Sequence, residues 1–228
     1  MNFLVLDTAT EACSVALSWQ QQQYSQFEIC PQQHSQRILP MVDEVLVQAG
    51  AELRHLDFLA FGRGPGSFTG VRIATGILQG LALGSQLPVV GVSTLAAMAQ
   101  QAIDTHKVAK VYCAIDARMG EVYFAEYCAL DGLATLVGEE QVLAPELAAE
   151  LISQTSDAVG VGTGWVAYPA LNPQQQLRIA EDIQLPAAQY MLALALHGFN
   201  NGQAQAAEQV QPVYLRDTVT WKKLPGRE

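Results

Sequence analysis

Asp7 and Asp116 each close an apolar run, Phe3-Leu-Val-Leu-Asp7 and Val111 to Asp116. Each is followed by a polar turn, Asp7-Thr8-Ala9-Thr10 and Asp116-Ala117-Arg118. A turn beyond the end of a strand can grip phosphate if its backbone N–H groups come close enough, and glycine is the residue that permits this. The first turn carries Ala9 and Thr10 instead of glycine, whereas a later turn, Gly162-Thr163-Gly164, has two. Two readings follow. Asp7, Thr8, Asp116, Gly162 and Gly164 line a cleft that binds a nucleotide weakly, or the cleft is vestigial and its carboxylates cap their own turns.

Other chemistry-bearing residues point elsewhere. Gly64-Pro-Gly-Ser-Phe-Thr-Gly70 lies between a strand and a helix, the place of a phosphate loop. Its spacing is not the dinucleotide fingerprint, no Gly-Lys-Ser/Thr follows, and Ser67 is not in a nucleophile elbow. It reads as a structural loop with tight backbone turns. His34, His55, His106 and His197 are scattered and form no H-x-x-x-H pair, so no metal site is expected. His34, at a helix start, reads as a surface or interface residue. Cys13, Cys30, Cys113 and Cys128 form no C-x-x-C pair, which speaks against a zinc knuckle or a thioredoxin-like motif.

The elements that must position these residues form two series. The first half reads as three strands (to Asp7, Cys13 to Trp19, Tyr24 to Ile29), a helix from His34 to Ala49 and a strand at Phe58 to Phe61. A helix from Val71 to about Leu83, a strand at Pro88 to Val92 and a helix capped by Ser93 complete it. Gly50 supplies the stop of the first helix. The order βββαβαβα predicts a meander extended by parallel strands through right-handed crossovers. After a polar stretch near Thr105 to Lys110 the pattern restarts: strands at Val111 to Asp116, Gly120 to Cys128 and Leu133 to Gly138, then a helix at Pro145 to Ser153. A strand at Ala158 to Val161 and a long helix over Ala187 to Phe199 follow. The chain is therefore expected to be α/β with two similar lobes, residues 1–108 and a reduced lobe of 109–228.

On the helix from Val71, Gly76, Gly80 and Gly84 recur every fourth residue. Each glycine costs a helix roughly 1 kcal/mol against alanine, so three on one ridge need a reason. Val71, Ala74, Leu78, Leu81 and Ala82 already form a face for the sheet. Small and apolar residues together cover about 200° of the helix, more than a one-sided helix requires. The helix from His34 is similarly broad. The surplus marks a protein–protein face, expected to comprise His34, Ile38, Met41 and Val45 with Ile73, Gly76, Ile77, Gly80 and Gly84; close packing on the protein's own sheet is the alternative.

Bulk properties limit the partners. The 228 residues are 50% hydrophobic and 15% charged, with a formal net charge of −10. That composition builds a core and excludes a disordered chain. An acidic surface repels phosphate, so the subunit alone is expected to bind tRNA or DNA poorly, even with Lys222, Lys223 and Arg227 near its end. Met1-Asn2 runs into a strand without a basic leader, and no apolar stretch is long enough for a bilayer. The expected address is the cytoplasm, without membrane contact.

Several stretches together resemble the family of the bacterial tRNA threonylcarbamoyladenosine biosynthesis subunit TsaB, also called YeaZ. They are Leu6-Asp-Thr-Ala-Thr10, Cys13-Ser-Val-Ala-Leu17, His34-Ser35, Gly64 to Ile73, Asp116-Ala-Arg-Met-Gly-Glu-Val-Tyr123, Gly162-Thr-Gly-Trp165, Pro212-Val-Tyr-Leu-Arg216 and Lys222-Lys223. The resemblance implies a two-lobed actin-like ATPase (ASKHA) fold, in which the three turns above are where phosphates and adenosine would be held. It implies a non-catalytic subunit pairing, through its two N-lobe helices, with a catalytic TsaD-type paralogue. A TsaE-type ATPase joins them, the subunit pairs with itself when alone, and tRNA is met only through the complex. No cofactor is assigned to the chain; ATP or ADP at the joint between subunits is left open. Two other readings stand beside it. One is a small-molecule kinase or ATPase of the actin-like superfamily, which needs the intact glycine turn that Asp7-Thr-Ala-Thr10 lacks. The other is the family's old peptidase label, which has no nucleophile or metal signature to support it.

Overall fold

The computed structural model describes residues 1–153 and 157–216; the basic residues Lys222, Lys223 and Arg227 lie outside them. Strand β1 (Phe3–Asp7) is buried along its whole length, as a continuous apolar run dictates. It pairs antiparallel with β2 (Ala12–Trp19), which turns back into β3 (Gln22–Ile29). The turn between them is the two residues Gln20 and Gln21, both left-handed, with Trp19 opposite Gln22. Helix α1 (His34–Ala49) ends on Gly50, whose φ of +61° lets its N–H cap the last carbonyls.

Strand β4 (Phe58–Gly64) joins β1 in parallel, α2 (Phe68–Ser85) crosses over, and β5 (Val89–Ser93) extends the sheet to the order β3-β2-β1-β4-β5. Helix α2 begins three residues before the expected Val71, because the Ser67 hydroxyl accepts from the Gly70 N–H and nucleates the turn there. Ser93 caps α3 (Thr94–His106) by accepting from the N–H groups of Leu95 and Ala96.

The second series repeats the first. Strands β6 (Lys110–Arg118), β7 (Glu121–Leu130) and β8 (Leu133–Leu143) form a meander. Helix α4 (Pro145–Glu150), β9 (Ala158–Val161), α5 (Gly164–Ala167) and the two-residue β10 (Arg178–Ile179) follow. The order β8-β7-β6-β9-β10 matches the first sheet strand for strand.

The layers run α1/α2, first sheet, α3/α6, second sheet, α4/α5. Leu4, Leu6, Leu59 and Phe61 of the first sheet meet Ile38, Met41, Val45, Ala74 and Leu78 of α1 and α2. The expected long helix over 187–199 is a 3-10 turn (Ala188–Met191) followed by α6 (Leu192–Asn200). Assigned from the sequence to the second lobe, this segment packs on the first sheet instead. Met191, Leu192 and Ala195 fill the face formed by Phe3, Val5 and Phe58, and Ser14 Oγ accepts from the Ala188 N–H at 3.0 Å. Residues 205–216 continue as a strap. Gln205 bridges to Val89, Gln79 of α2 donates to the carbonyls of Ala207 and Val210, the Val213 N–H donates to the Arg63 carbonyl, and Arg216 reaches Glu121 of the second sheet.

Glycines along this architecture have opposite surroundings, which sets a stability test. A Cβ on Gly70 would stand 2.1 Å from the Thr8 carbonyl oxygen, whereas Cβ atoms on Gly76 or Gly80 meet nothing within 4 Å. We expect Gly70→Ala to destabilise the chain by at least about 1–3 kcal/mol through overpacking. Gly76→Ala and Gly80→Ala should each stabilise it by up to about 1 kcal/mol through helix propensity. Urea denaturation of the variants reads both signs.

Candidate functional site

At the mouth of the first sheet, the loop between β4 and α2 sits on the turn after β1. The Ser67 N–H donates to the Ala9 carbonyl at 2.7 Å, and the Thr8 hydroxyl donates to the Gly70 carbonyl at 2.7 Å. The contact needs glycine: a Cβ on Gly66 would lie 2.3 Å from the Ala9 carbonyl oxygen. From beneath, His34 Nε2–H donates to the Thr10 carbonyl at 2.8 Å. Asp7, Thr8, Ala9 and Thr10 are all buried.

Asp7 is sealed beneath this arrangement. One carboxylate oxygen accepts weakly from the Ala9 N–H at 3.4 Å, and the other is buried without a partner against Gly62. Removal from water pushes its carboxyl up to about 7. Of the two readings of this turn, the one in which the carboxylate caps its own turn describes what Asp7 does here, with the Gly64–Gly70 backbone packed over Thr8 and Ala9.

The other two turns are also internally engaged. Asp116 accepts from the Arg118 N–H (2.8 Å), the Arg118 guanidinium (2.9 Å) and the Tyr168 hydroxyl (2.9 Å), while its own N–H donates to Thr163 Oγ1. Gly162 and Gly164 are buried, and a Cβ on either would run into the Ala114 carbonyl at 2.2 or 2.9 Å. Their smallness serves the close approach of this turn to β6. Arg118 also pairs with Glu11 at 3.1 Å, tying the turn after β6 to the turn after β1.

Further long-range bonds were not legible in the sequence. Tyr123 donates to the Gly66 carbonyl and Ser93 to Glu140 across the two halves, while Thr94 donates to the Pro65 carbonyl within the first half and Tyr127 to Glu140 within the second. Each joins residues at least 13 apart with no local motif. Among the described residues no group of three or more His, Cys, Asp or Glu is arranged to hold a metal ion. No described helix is long and apolar enough to cross a membrane.

On the outer layer the structure divides the expected docking residues. Ile38, Met41 and Val45 have no accessible surface, and His34 is buried under its bond to Thr10. Their assignment to a partner face is corrected: they are the stripe by which α1 grips its own sheet, and the sequence pattern alone does not show how wide that stripe is. Ile73 and Ile77 are half-buried, packed against the same core. Gly76, Gly80 and Gly84 are exposed, with open space where their side chains would be. Leu83 of α2 is 54% exposed, and on α1, in the same layer, Leu39 and Val47 are 44% and 71% exposed.

Two sheets of identical strand order, each opening on a meander and closing on parallel strands, define the two-lobed actin-like (ASKHA) class. Comparison with known proteins narrows this. The family model described as TsaD, tRNA N6-adenosine threonylcarbamoyltransferase, matches residues 20–223. The "tRNA threonylcarbamoyladenosine biosynthesis protein TsaB" of Escherichia coli is 52% identical over the whole of both chains. That of Haemophilus influenzae is 46% identical, over 100% of this chain and 99% of its own. A crystal structure from Pseudomonas aeruginosa, described as similar to peptidase YeaZ, superposes with a TM-score of 0.89 at 46% identity. It covers 94% of this chain and 99% of its own. The chain belongs to the TsaB (YeaZ) family, within the wider group that the TsaD model describes.

Two measurements test the closed turn. Asp7 has a folded value of about 7 against an ordinary 3.8, so the folded chain keeps a proton that the unfolded chain releases. The stability it contributes is full below about pH 4 and is lost as pH rises through about 7. Asp7→Asn should abolish this slope. The variant gains on the wild type between pH 4 and 8 by a few kcal/mol, at ~1.4 kcal/mol per pKa unit, read by denaturant melts across that range; a constant difference refutes the buried carboxyl. Second, isothermal calorimetry on the isolated chain should show no ATP binding tighter than about millimolar, some −4 kcal/mol. Low-micromolar binding abolished by Asp116→Ala would establish a working cleft.

Proposed function

We propose that this chain is an accessory, non-catalytic subunit of tRNA threonylcarbamoyladenosine biosynthesis that acts by docking its α1/α2 face onto a TsaD-type catalytic paralogue. The role in that modification is the one its full-length relatives carry in their names. The observation that carries the docking reading is the ridge of Gly76, Gly80 and Gly84. It is open to solvent, helix-weakening, and a Cβ at any of the three would meet nothing within 4 Å among the described residues. Without side chains there, an incoming helix packs at the short end of the ~8–10 Å range of helix pairs. Exposed Leu83 on α2 and Leu39 and Val47 on α1 add apolar area to the same outer layer. The filled turns at Asp7 and Asp116 support an accessory role over a kinase-like one.

Within the same proposal a TsaE-type ATPase joins the pair, any ATP or ADP sits at the joint between subunits, and the free chain pairs with itself through the same face. These parts rest on the family resemblance. A net charge of −10 favours contact with tRNA through the assembly and not through this subunit alone.

Gly80→Leu tests the docking face. The side chain enters open space in the free chain, so thermal melting should hold or rise, since leucine is a better helix former than glycine. Affinity for the TsaD-type subunit should fall roughly tenfold or more, from about 1–3 kcal/mol of overpacking. In reconstitution, threonylcarbamoyladenosine should form only when the TsaD-type subunit is present. Modification by this chain alone, or normal binding by Gly80→Leu, would refute the reading.

A further inference from the structure

The ridge of three glycines continues toward the start of α2. Stepping back four residues at a time from Gly76 gives Arg72 and then Phe68, so Phe68, Arg72, Gly76, Gly80 and Gly84 form one row. The two ends of the row differ in chemistry. At the glycine end nothing projects. At the other, the Arg72 guanidinium lies 3.3 Å from the centre of the Phe68 ring and 5.4 Å from that of Tyr214, which the C-terminal strap brings alongside. The two rings are 5.6 Å apart, and Phe68 and Tyr214 remain 51% and 42% exposed.

Arg72 has no carboxylate partner and no hydrogen bond among the described residues. Of the other described arginines, Arg37, Arg54, Arg118 and Arg216 each pair with a glutamate. Arg63 and Arg178 also lack a carboxylate ion pair, but Arg178 is bonded to the His106 ring and Arg63 is half-buried, whereas the Arg72 guanidinium is exposed and stacked on aromatic rings. Its aromatic neighbours cover its side and fix its orientation, which lowers the entropy lost when its N–H groups bind. It opens onto a shallow cavity of about 400 Å³ between α2 and the strap, lined by Thr75, Gln79, Gln211 and Pro212, with Gly76 on its rim. Aromatic and arginine side chains at the edge of a packed helix contact are the composition of interface hot spots.

We propose that Arg72, held by Phe68 and Tyr214, is the polar anchor of the docking face, and that the TsaD-type subunit seated on the glycine row places a carboxylate in the cavity to accept its guanidinium hydrogen bonds. This rests on the docking reading above and adds the chemistry of the partner: an acidic side chain beside a close-packed helix. A carboxylate is favoured over a nucleic-acid phosphate because Arg72 is the one cation lining the cavity among the described residues and the rest of its row, Phe68, Gly76, Gly80 and Gly84, is uncharged.

The test compares wild type, Arg72→Ala, Arg72→Lys, Arg72→Glu and Gly80→Leu for calorimetric binding to the TsaD-type subunit at low and high salt, with melting of each variant alone. Arg72→Ala should weaken binding roughly ten- to hundredfold, the range for a charge-assisted hydrogen bond, and Arg72→Glu by more. Arg72→Lys should recover only part, because an ammonium lacks the planar fork. Wild-type affinity should fall with salt more steeply than that of Arg72→Ala, with melting close to wild type for the Arg72 variants and held or raised for Gly80→Leu. If Gly80→Leu abolishes binding while Arg72→Glu binds like wild type, the anchor is wrong and the docking face stands. If both bind normally, the face itself is wrong. Arg72→Glu losing only self-association would assign the cavity to a second copy, and losing only tRNA binding by the assembled complex would assign it to phosphate; either result overturns the proposal.

Discussion

Backbone packed directly on backbone, between the Gly64–Gly70 loop and the Asp7–Thr10 turn, is the contact on which the rest of the structure depends. Side chains would forbid it, since Cβ atoms on Gly66 and Gly70 would lie within 2.3 Å of carbonyl oxygens in that turn. Once made, it draws in each layer. His34 braces the turn from α1, Thr94 and Tyr123 reach the loop from α3 and the second sheet, and the strap closes over it at Val213. The buried carboxyl of Asp7 is the cost of this arrangement. Its unpartnered oxygen faces Gly62, where any side chain would collide with it.

The same closure gives the functional reading its physical basis. A turn that holds phosphate must offer N–H groups to solvent. Here the Ala9 N–H is directed back to Asp7, and the turn is covered by the loop whose Ser67 N–H donates to the Ala9 carbonyl. The second turn is held in a similar way by Arg118 and Tyr168. With its cleft engaged internally, the distinctive exposed chemistry lies on the outer layer. There α2 presents a row that is aromatic and cationic at one end and bare at the other.

Tertiary packing also decides which half of the chain each late segment serves. Helix α6 and the strap come after the second sheet in sequence, yet they finish the first. Phe199 stacks on Phe58, and Phe58 on Phe3, at centroid separations of 4.3 and 4.4 Å. The strap then crosses back to Glu121 through Arg216. The two halves are thereby joined by α3, by the strap and by the Arg118–Glu11 pair, not by one linker.

Local pattern determined much of this molecule. Apolar runs set β1, β4 and β6, Ser67 and Ser93 set the starts of α2 and α3, Gly50 set the end of α1, and the repeated order of elements set two sheets of one topology. These depend on neighbours a few residues away, so the residues themselves carry the information. The four-residue recurrence of glycine on α2 was legible for the same reason; the Phe68–Arg72 pair was not, because the helix was expected to begin only at Val71. Which side of a helix becomes core was not. Met41 and Leu39 look alike as surplus apolar residues, but one is fully buried in the core shared with the sheet and α2 and the other is 44% exposed. Nor could the pattern show that Asp7 would be sealed from solvent or that Tyr214 would cover Arg72. Those outcomes depend on segments 55 or more residues apart meeting in space, which only the packed chain decides.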